Sequence, residues 1–410
     1  MKRITSICFL LAALLTGGAC SNGNDDSGNG GGKELPGALD PVTVTKTNPM
    51  KVYAHYMPWF ETPATNNDKW GQHWTMATCN PDRQNSNDRR EIAAHYYPQI
   101  GPYASSDAVV LNYHALLMKY SGIDGVMIDW YGIQDKHDYA ANKRNTEELV
   151  KAVERVGLDF AIVYEDATLS DLSDAGKVTQ AQADLKYLES QFFKKSNYIR
   201  VNNQPLLMIF GPQQVSTPKD WTTIFSALEA KPAFVVLNGF SGKANSSQEQ
   251  NAIGEFLWVN PAPNYSDAGN FSCYIGGAMP GFHDYYREGG WGDGYTTYDA
   301  ENGALFNRQL DAARKAGLKY LQISTWNDFG EGTTIEPTLE YGNRYLTALQ
   351  QFTGISYQEK ALQEIYRWYT LKQKYANDKD KASKYLTQAF YYFISLQPDK
   401  AGELMDELDN

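Results

Sequence analysis

A chain of 410 residues with 42% hydrophobic, 13% aromatic and 21% charged side chains has the make-up of a globular protein, which excludes a collagenous, coiled-coil or disordered chain. Thirty-seven basic against 48 acidic residues give a formal charge of −11, and a field of that sign argues against nucleic acid as a partner. Nine Trp, 28 Tyr and 17 Phe point either to an aromatic core or to clefts where flat rings meet sugar faces.

The first residues bear on location. Lys2-Arg3, an apolar run from Ile7 to Leu15 and the small residues Gly17-Gly18-Ala19 read as a signal peptide over residues 1–19. The run is too short to cross a bilayer as a helix. Cys20 directly after the small residues resembles the lipobox of bacterial lipoproteins, in which that Cys carries the lipid, although Gly17 stands where an aliphatic residue is usual. The Gly- and Asn-rich stretch that follows opens a flexible tether read over residues 20–47. Its Asp25-Asp26 resembles the export signal of Bacteroidetes surface lipoproteins. The expected setting is an outer-membrane lipoprotein held by its lipid anchor, monomeric and exposed at the cell surface, with a periplasm-facing anchor as the alternative. Cys79 and Cys273 remain, and one disulfide or two separate thiols are both open.

From Lys51 onward, eight short apolar runs alternate with helical patterns. The runs are Val52–Met57, Gly125–Ile128, Phe160–Tyr164, Leu206–Phe210, Phe234–Leu237, Phe256–Val259, Cys273–Ile275 and Tyr320–Ser324. Helical periods cover Ala108–Tyr120, Thr146–Val156, Thr179–Phe193, Trp221–Ala230 and Asn302–Ala316. Strands alternating with helices mean parallel βαβ units. Eight of them predict an α/β fold of the (β/α)8 TIM barrel type over residues 48–355. A doubly wound sheet is the alternative, since no clear helix separates the sixth and seventh runs. Residues 356–410 form an extension whose amphipathic stretches Glu359–Tyr375 and Lys381–Leu396 predict a helical hairpin.

In such a barrel, chemistry sits past the C-terminal ends of the strands. Those ends read His55-Tyr56-Met57-Pro58-Trp59, Asp129-Trp130-Tyr131, Glu165-Asp166 and Trp326-Asn327-Asp328-Phe329-Gly330-Glu331. Carboxyl groups beside aromatic rings at one rim are what glycoside hydrolysis requires: one acid protonates the leaving oxygen, a second assists displacement, and rings stack on the sugar. Each single acid more often reads as a helix cap or a salt-bridge partner, and their convergence carries the functional reading. No metal and no cofactor is expected, because the six His show neither HxH nor HExxH spacing.

These residues carry a resemblance. Trp326–Glu331 with His55-Tyr56-Met57, together with Gly125–Gly132 and Ala278–Phe282, resembles glycoside hydrolase families 71 and 99. The opening Trp326-Asn327-Asp328-Phe329-Gly330-Glu331 is similar to family 71, the α-1,3-glucanases. The continuation to Glu336-Pro337 is similar to family 99, the endo-α-1,2-mannosidases. Family 99 has Glu at both catalytic positions, whereas the first here is Asp328. The family 99 resemblance implies that Glu331 is the acid/base and that Asp328 is the base on the sugar's own 2-hydroxyl. The family 71 resemblance implies an acid and a base around an attacking water.

Around the pair, Tyr56 and Trp59 are expected to line the subsite of the cleaved sugar, and Trp130, Tyr131 and Trp326 to stack on sugar rings. Asn327 is expected to bond a hydroxyl, and Asp129 and Glu165 to orient hydroxyls or raise the pKa of the acid. His55 reads as a core residue or a substrate contact, Glu336 as a helix cap, and the loop from Pro280 to Arg287 as a wall of the cleft. The resulting reading is an endo-acting α-glycosidase on α-mannan or a similar polysaccharide. The alternatives are an α-1,3-glucanase or a non-catalytic glycan-binding lipoprotein; the presence of both Asp328 and Glu331 favours the enzyme.

Overall fold

The β-branched and aromatic runs form eight parallel strands: β1 (Lys51–Tyr56), β2 (Gly125–Trp130), β3 (Asp159–Tyr164), β4 (Gln204–Ile209), β5 (Ala233–Leu237), β6 (Ala252–Phe256), β7 (Cys273–Ala278) and β8 (Tyr320–Ile323). In the computed structural model, which describes residues 35–378 and 380–408, each strand pairs with the next. The ring closes where Lys51–Ala54 of β1 lie against Tyr320–Ile323 of β8. Ile162–Tyr164 of β3 likewise pair with Leu207–Ile209 of β4. A doubly wound sheet has two free edges; this one has none. The fold is a (β/α)8 barrel.

Helices cover its outside where the sequence supplies them. Ala108–Lys119 starts at Asp107, whose carboxylate accepts from the N–H groups of Val109 and Val110. Tyr139–Val156 stops at Gly157, which takes the left-handed conformation open to a residue without Cβ. Asp174–Gln191, Pro218–Phe225 and Ala304–Lys315 follow as the periodicity predicts. Between β6 and β7 stands only one 3-10 turn, Ala268–Asn270, and this is why no helical period is legible there. β6 lies four residues ahead of the apolar run at Phe256–Val259, so that Trp258 falls past its end. The last barrel helix, Arg344–Thr353, was not read from the sequence.

The C-terminal extension holds three helices where a hairpin was expected: Glu359–Lys374, Lys381–Ile394 and Pro398–Asp406. The third begins on a proline at its first turn, where a missing N–H costs nothing. Tyr369 packs its ring 4.9 Å from that of Tyr113, and the Tyr120 hydroxyl donates to Phe393 O at 2.9 Å. Trp368 is buried between the helices and donates from Nε1 to Leu386 O at 2.8 Å.

The readings for the signal peptide, Cys20 and most of the tether lie outside the described residues. The tether was read as running to residue 47, but its last part is packed. Gly37 N–H donates to Gln388 Oε1, Val42 N–H to Ile394 O, and the Lys46 ammonium pairs with Asp124 just ahead of β2. Residues 37–408 therefore belong to one packed unit. Cys79 and Cys273 are separate thiols. Burial pushes the Cys273 thiol up to about 12.

Removing the Trp368 ring should cost about 3–5 kcal/mol through lost burial and an orphaned carbonyl. Urea unfolding of Trp368→Ala should show it, while Lys360→Ala on the exposed face of the same helix should stay within about 0.5 kcal/mol of wild type.

Candidate active site

Past β8 the chain doubles back on itself. Trp326 N–H donates to His55 O at 2.7 Å, and Ile335 and Glu336 N–H both donate to Trp326 O. The Asn327 side chain clasps the backbone of β1, accepting from Met57 N–H at 2.8 Å and donating to Met57 O at 3.0 Å. So fixed, the segment projects Asp328 and Glu331 inward. Asp328 N–H donates to Thr325 Oγ1 at 2.8 Å, and Glu331 N–H donates to Asp328 Oδ1 at 2.9 Å. Gly332 makes the following turn at φ 67°, and a Cβ there would lie 2.5 Å from His283 O. That contact admits only glycine.

The two carboxyls open on a cavity of about 270 Å³ at the C-terminal mouth of the barrel. Two further acids, Asp129 from β2 and Glu165 from the end of β3, share it. Burial raises the pKa of Asp328 to about 7, against the backbone N–H groups of Glu331 and Gly330, which favour its anion. Burial also raises Glu331 well above the usual carboxyl range, the neighbouring Asp328 adds to the rise, and a hydrogen bond from Tyr286 opposes it. Asp129 is lifted by burial and then by Asp328. Glu165 is lifted by burial and then by Asp129, Asp166 and Glu331. Four acids in one dry space cannot all ionise. Glu331 Oε1 accepts from the Tyr286 hydroxyl at 3.1 Å, whereas its Oε2 and Asp129 Oδ2 have no protein partner.

Aromatic and imidazole rings form the walls. Trp59 lies flat on His73, centroids 4.2 Å apart and 6° from parallel. His73 in turn is held by Asp138 at 3.1 Å. His55 meets Trp258 edge-on at 4.7 Å. Its Nδ1 faces Gln322 Oε1 at 3.3 Å, while Gln322 Nε2 is spent on Leu257 O. This assignment makes Nδ1 the protonated nitrogen of His55. Burial lowers the His55 pKa to about 4, so its ring is neutral at physiological pH. Among the described residues, no three His, Cys, Asp or Glu side chains are arranged to hold a metal ion.

Of the residues expected around the pair, Trp59, Asp129, Tyr131 and Glu165 line the cavity with Asp328 and Glu331. Tyr56, Trp130, Trp326 and Asn327 do not. Successive strand residues point to opposite faces, so Asp129 faces in and Trp130 faces out. Trp130 is 0% exposed and stacks on Tyr187 of the surrounding helix layer. Tyr56 is likewise turned outward and bonds His114 Nδ1 at 3.0 Å. Trp326 packs against His114, and Asn327 is consumed by the backbone of Met57. Glu336 is no helix cap: it is buried, accepts from Tyr103 at 2.7 Å and faces His114 at 3.2 Å. The cavity residues His73, Phe210, Trp258, Tyr286 and Trp291 were not singled out from the sequence, although Tyr286 and Trp291 belong to or follow the loop expected to form a wall.

The sequence pattern of glycosyl hydrolase family 99 matches residues 48–233. Curated relatives extend the likeness. A zebrafish (Danio rerio) glycoprotein endo-alpha-1,2-mannosidase-like protein is 23% identical over 334 residues, 70% of each chain. The mouse (Mus musculus) glycoprotein endo-alpha-1,2-mannosidase is 22% identical over 343 residues, 74% of this chain and 71% of its own. The solved family 99 endo-alpha-mannosidase of Bacteroides thetaiotaomicron superposes with a TM-score of 0.59 at 18% identity, covering 75% of this chain and 97% of that one. The chain is a glycoside hydrolase, and its barrel is similar to those of family 99. The family 99 match contains His55, Trp59, Asp129, Tyr131 and Glu165 and ends before β8, so the candidacy of Asp328 and Glu331 rests on their geometry in the cavity.

The electrostatics of this cavity have a consequence for stability. A carboxyl whose folded pKa is raised is at its most stabilising below its unfolded pKa and loses that contribution as pH rises through the folded value. For Asp328 the window runs from 3.8 to about 7. Asp328→Asn should therefore melt about 2–5 °C above wild type at pH 8, with the gain gone at pH 4. Differential scanning fluorimetry across that range measures it.

Proposed function

We propose that the chain is an endo-acting hydrolase of α-linked mannan or mannose-rich glycan, with Glu331 as general acid and Asp328 as the assisting base. The observation that carries this reading is the asymmetry of the pair. Asp328 receives the backbone N–H of Glu331, which favours its carboxylate. Glu331 is held above the usual carboxyl range by burial and by the neighbouring Asp328 charge, and has one oxygen free for a substrate. The family 99 relatives, described as endo-acting α-mannosidases, supply the substrate class.

In an α-mannoside the axial 2-hydroxyl lies trans to the leaving group. Asp328 takes the proton of that hydroxyl, O2 closes on C1, and the C1–oxygen bond breaks as Glu331 protonates the departing oxygen. The 1,2-anhydro sugar so formed is opened by water. Glu331, now a carboxylate, removes a proton from the water, and the protonated Asp328 returns its proton to O2. Two inversions at C1 give net retention. Each carboxyl ends in its starting state. Trp59 and Tyr131 offer flat faces to the sugar, and the free Oδ2 of Asp129 accepts from a hydroxyl.

Product analysis on α-mannan and α-1,3-glucan side by side tests the substrate class: release of manno-oligosaccharides from the first is expected, and cleavage of the second alone would overturn it. Glu331→Gln should lose about 10²–10⁴-fold on glycans and much less on a glycosyl fluoride, which leaves unaided. Asp328→Asn should be damaged on both. Full activity in Asp328→Asn would refute the pair. In the wild type, kcat/KM should rise with pH as Asp328 ionises near 7 and fall as Glu331, its pKa raised by burial and by Asp328, loses its proton. Because the Tyr286 hydroxyl favours the Glu331 anion, Tyr286→Phe should move the falling limb to higher pH.

For location, we propose a surface lipoprotein anchored through Cys20. Protease added to intact cells should digest the protein, and Cys20→Ala should shift it to the soluble fraction. A wild-type protein that is soluble and protected within the envelope would show the anchor reading to be wrong.

A further inference from the structure

The loop after β7 carries two large rings that the proposed chemistry does not use. Trp291 is 42% exposed and Tyr295 72% exposed. Exposed rings of this size are normally ones and twos scattered at random. These two instead flank a groove of about 400 Å³ lined by residues 286–295 alone among its neighbours: Tyr286, Trp291, Gly292, Asp293, Gly294 and Tyr295. The groove adjoins the catalytic cavity, with which it shares Tyr286 and Trp291.

The loop is built to hold its shape. The buried carboxylate of Asp284 accepts from Tyr286 N–H at 3.0 Å and from Tyr295 N–H at 2.8 Å, pinning both ends. Arg287 donates from Nε and Nη2 to Asp293 O, closing the turn between them. Gly294 at φ 74° lets the chain pass over Asp284, where a Cβ would stand 2.7 Å from Oδ1. The base of the loop is tied to the catalytic segment by His283 N–H to Glu331 O and Tyr285 N–H to Gly330 O. The rings of Tyr286 and Trp291 lie within 21° of parallel. A prebuilt platform loses little freedom when a ligand settles on it.

We propose that Trp291 and Tyr295 form a glycan-binding platform that holds sugar residues on the leaving-group side of the scissile bond. The inference rests on Glu331 being the acid. Tyr286 bonds Glu331 Oε1 and also lines the groove, so the groove adjoins the acid that protonates the departing oxygen. The occupant is a pyranose chain: rings of Trp and Tyr take the apolar face of a sugar, and the exposed Asp293 beside them accepts from its hydroxyls. A substrate that must reach this platform extends past the cleaved bond, which selects internal bonds over a terminal one.

Calorimetry on the Glu331→Gln protein tests the platform apart from turnover, using α-linked manno-oligosaccharides of two to six residues. Affinity should tighten as the chain grows, by about 3–10-fold for a sugar that gains a ring to stack on. Adding Tyr295→Ala or Trp291→Ala should flatten that dependence, and Trp291→Phe should restore part of it, with melting temperatures unchanged. Equal tightening in all variants overturns the platform. Tightening without cleavage by the wild type overturns the hydrolase reading and leaves the platform standing, and no binding of any chain overturns both. With active protein and reducing-end-labelled chains, Tyr295→Ala should shift the labelled products toward shorter lengths; a shift in the non-reducing fragments only would refute the assigned side.

Discussion

Four carboxyl groups share one dry space at the mouth of this barrel, and much of the surrounding structure serves to hold them there. Like charges at such spacing repel and lose their water. What the protein provides in return is directional. Asp328 is given backbone N–H groups, and Glu331 is given a tyrosine hydroxyl. Asp129 is given no partner for one oxygen. Unequal support of this kind separates acids that are chemically alike into different protonation states, and a barrel supplies it because each acid arrives on a different strand.

Behind the segment that carries Asp328 and Glu331 stands a layer that never meets the cavity. Glu336, His114, Tyr103 and Asn327 form a buried chain of polar contacts ending on the backbone of Met57. Buried polar groups are costly unless each finds a partner. Here the partners run from the helix layer through the β8 segment to β1, so the position of Asp328 is tied to three separate elements. The same dependence explains why Trp326 and Asn327, which neighbour Asp328 in sequence, do not line the cavity.

Much of the architecture is legible in the chain because the signals are periodic. Eight runs of strand-forming residues and five helical patterns favour a barrel over a doubly wound sheet, and the closure of β3 on β4 excludes the open sheet. Helix Arg344–Thr353 was missed because its apolar stripe follows the irregular turn Thr338–Asn343 without a side-chain cap. In the site, Asp129 and Glu165 were legible from their place at strand ends. Trp130 and Tyr56 were misassigned because place was weighed without parity, and alternation along β2 would have turned Trp130 outward. His73, Trp258 and Trp291 carried no comparable signal: they reach the cavity from the short helix Gln72–Thr75 and from connections past strand ends, whose course depends on contacts such as Asp284 with Tyr295.

The chain that enters the barrel at Gly37 does so along the C-terminal helices and passes Asp124 at the opening of β2. That is the foot of the barrel, where strands begin, and the cavity is at the other end, where they finish. The segment from Gly37 to Lys46 therefore packs away from the cavity and leaves the mouth of the barrel clear for a long polymer.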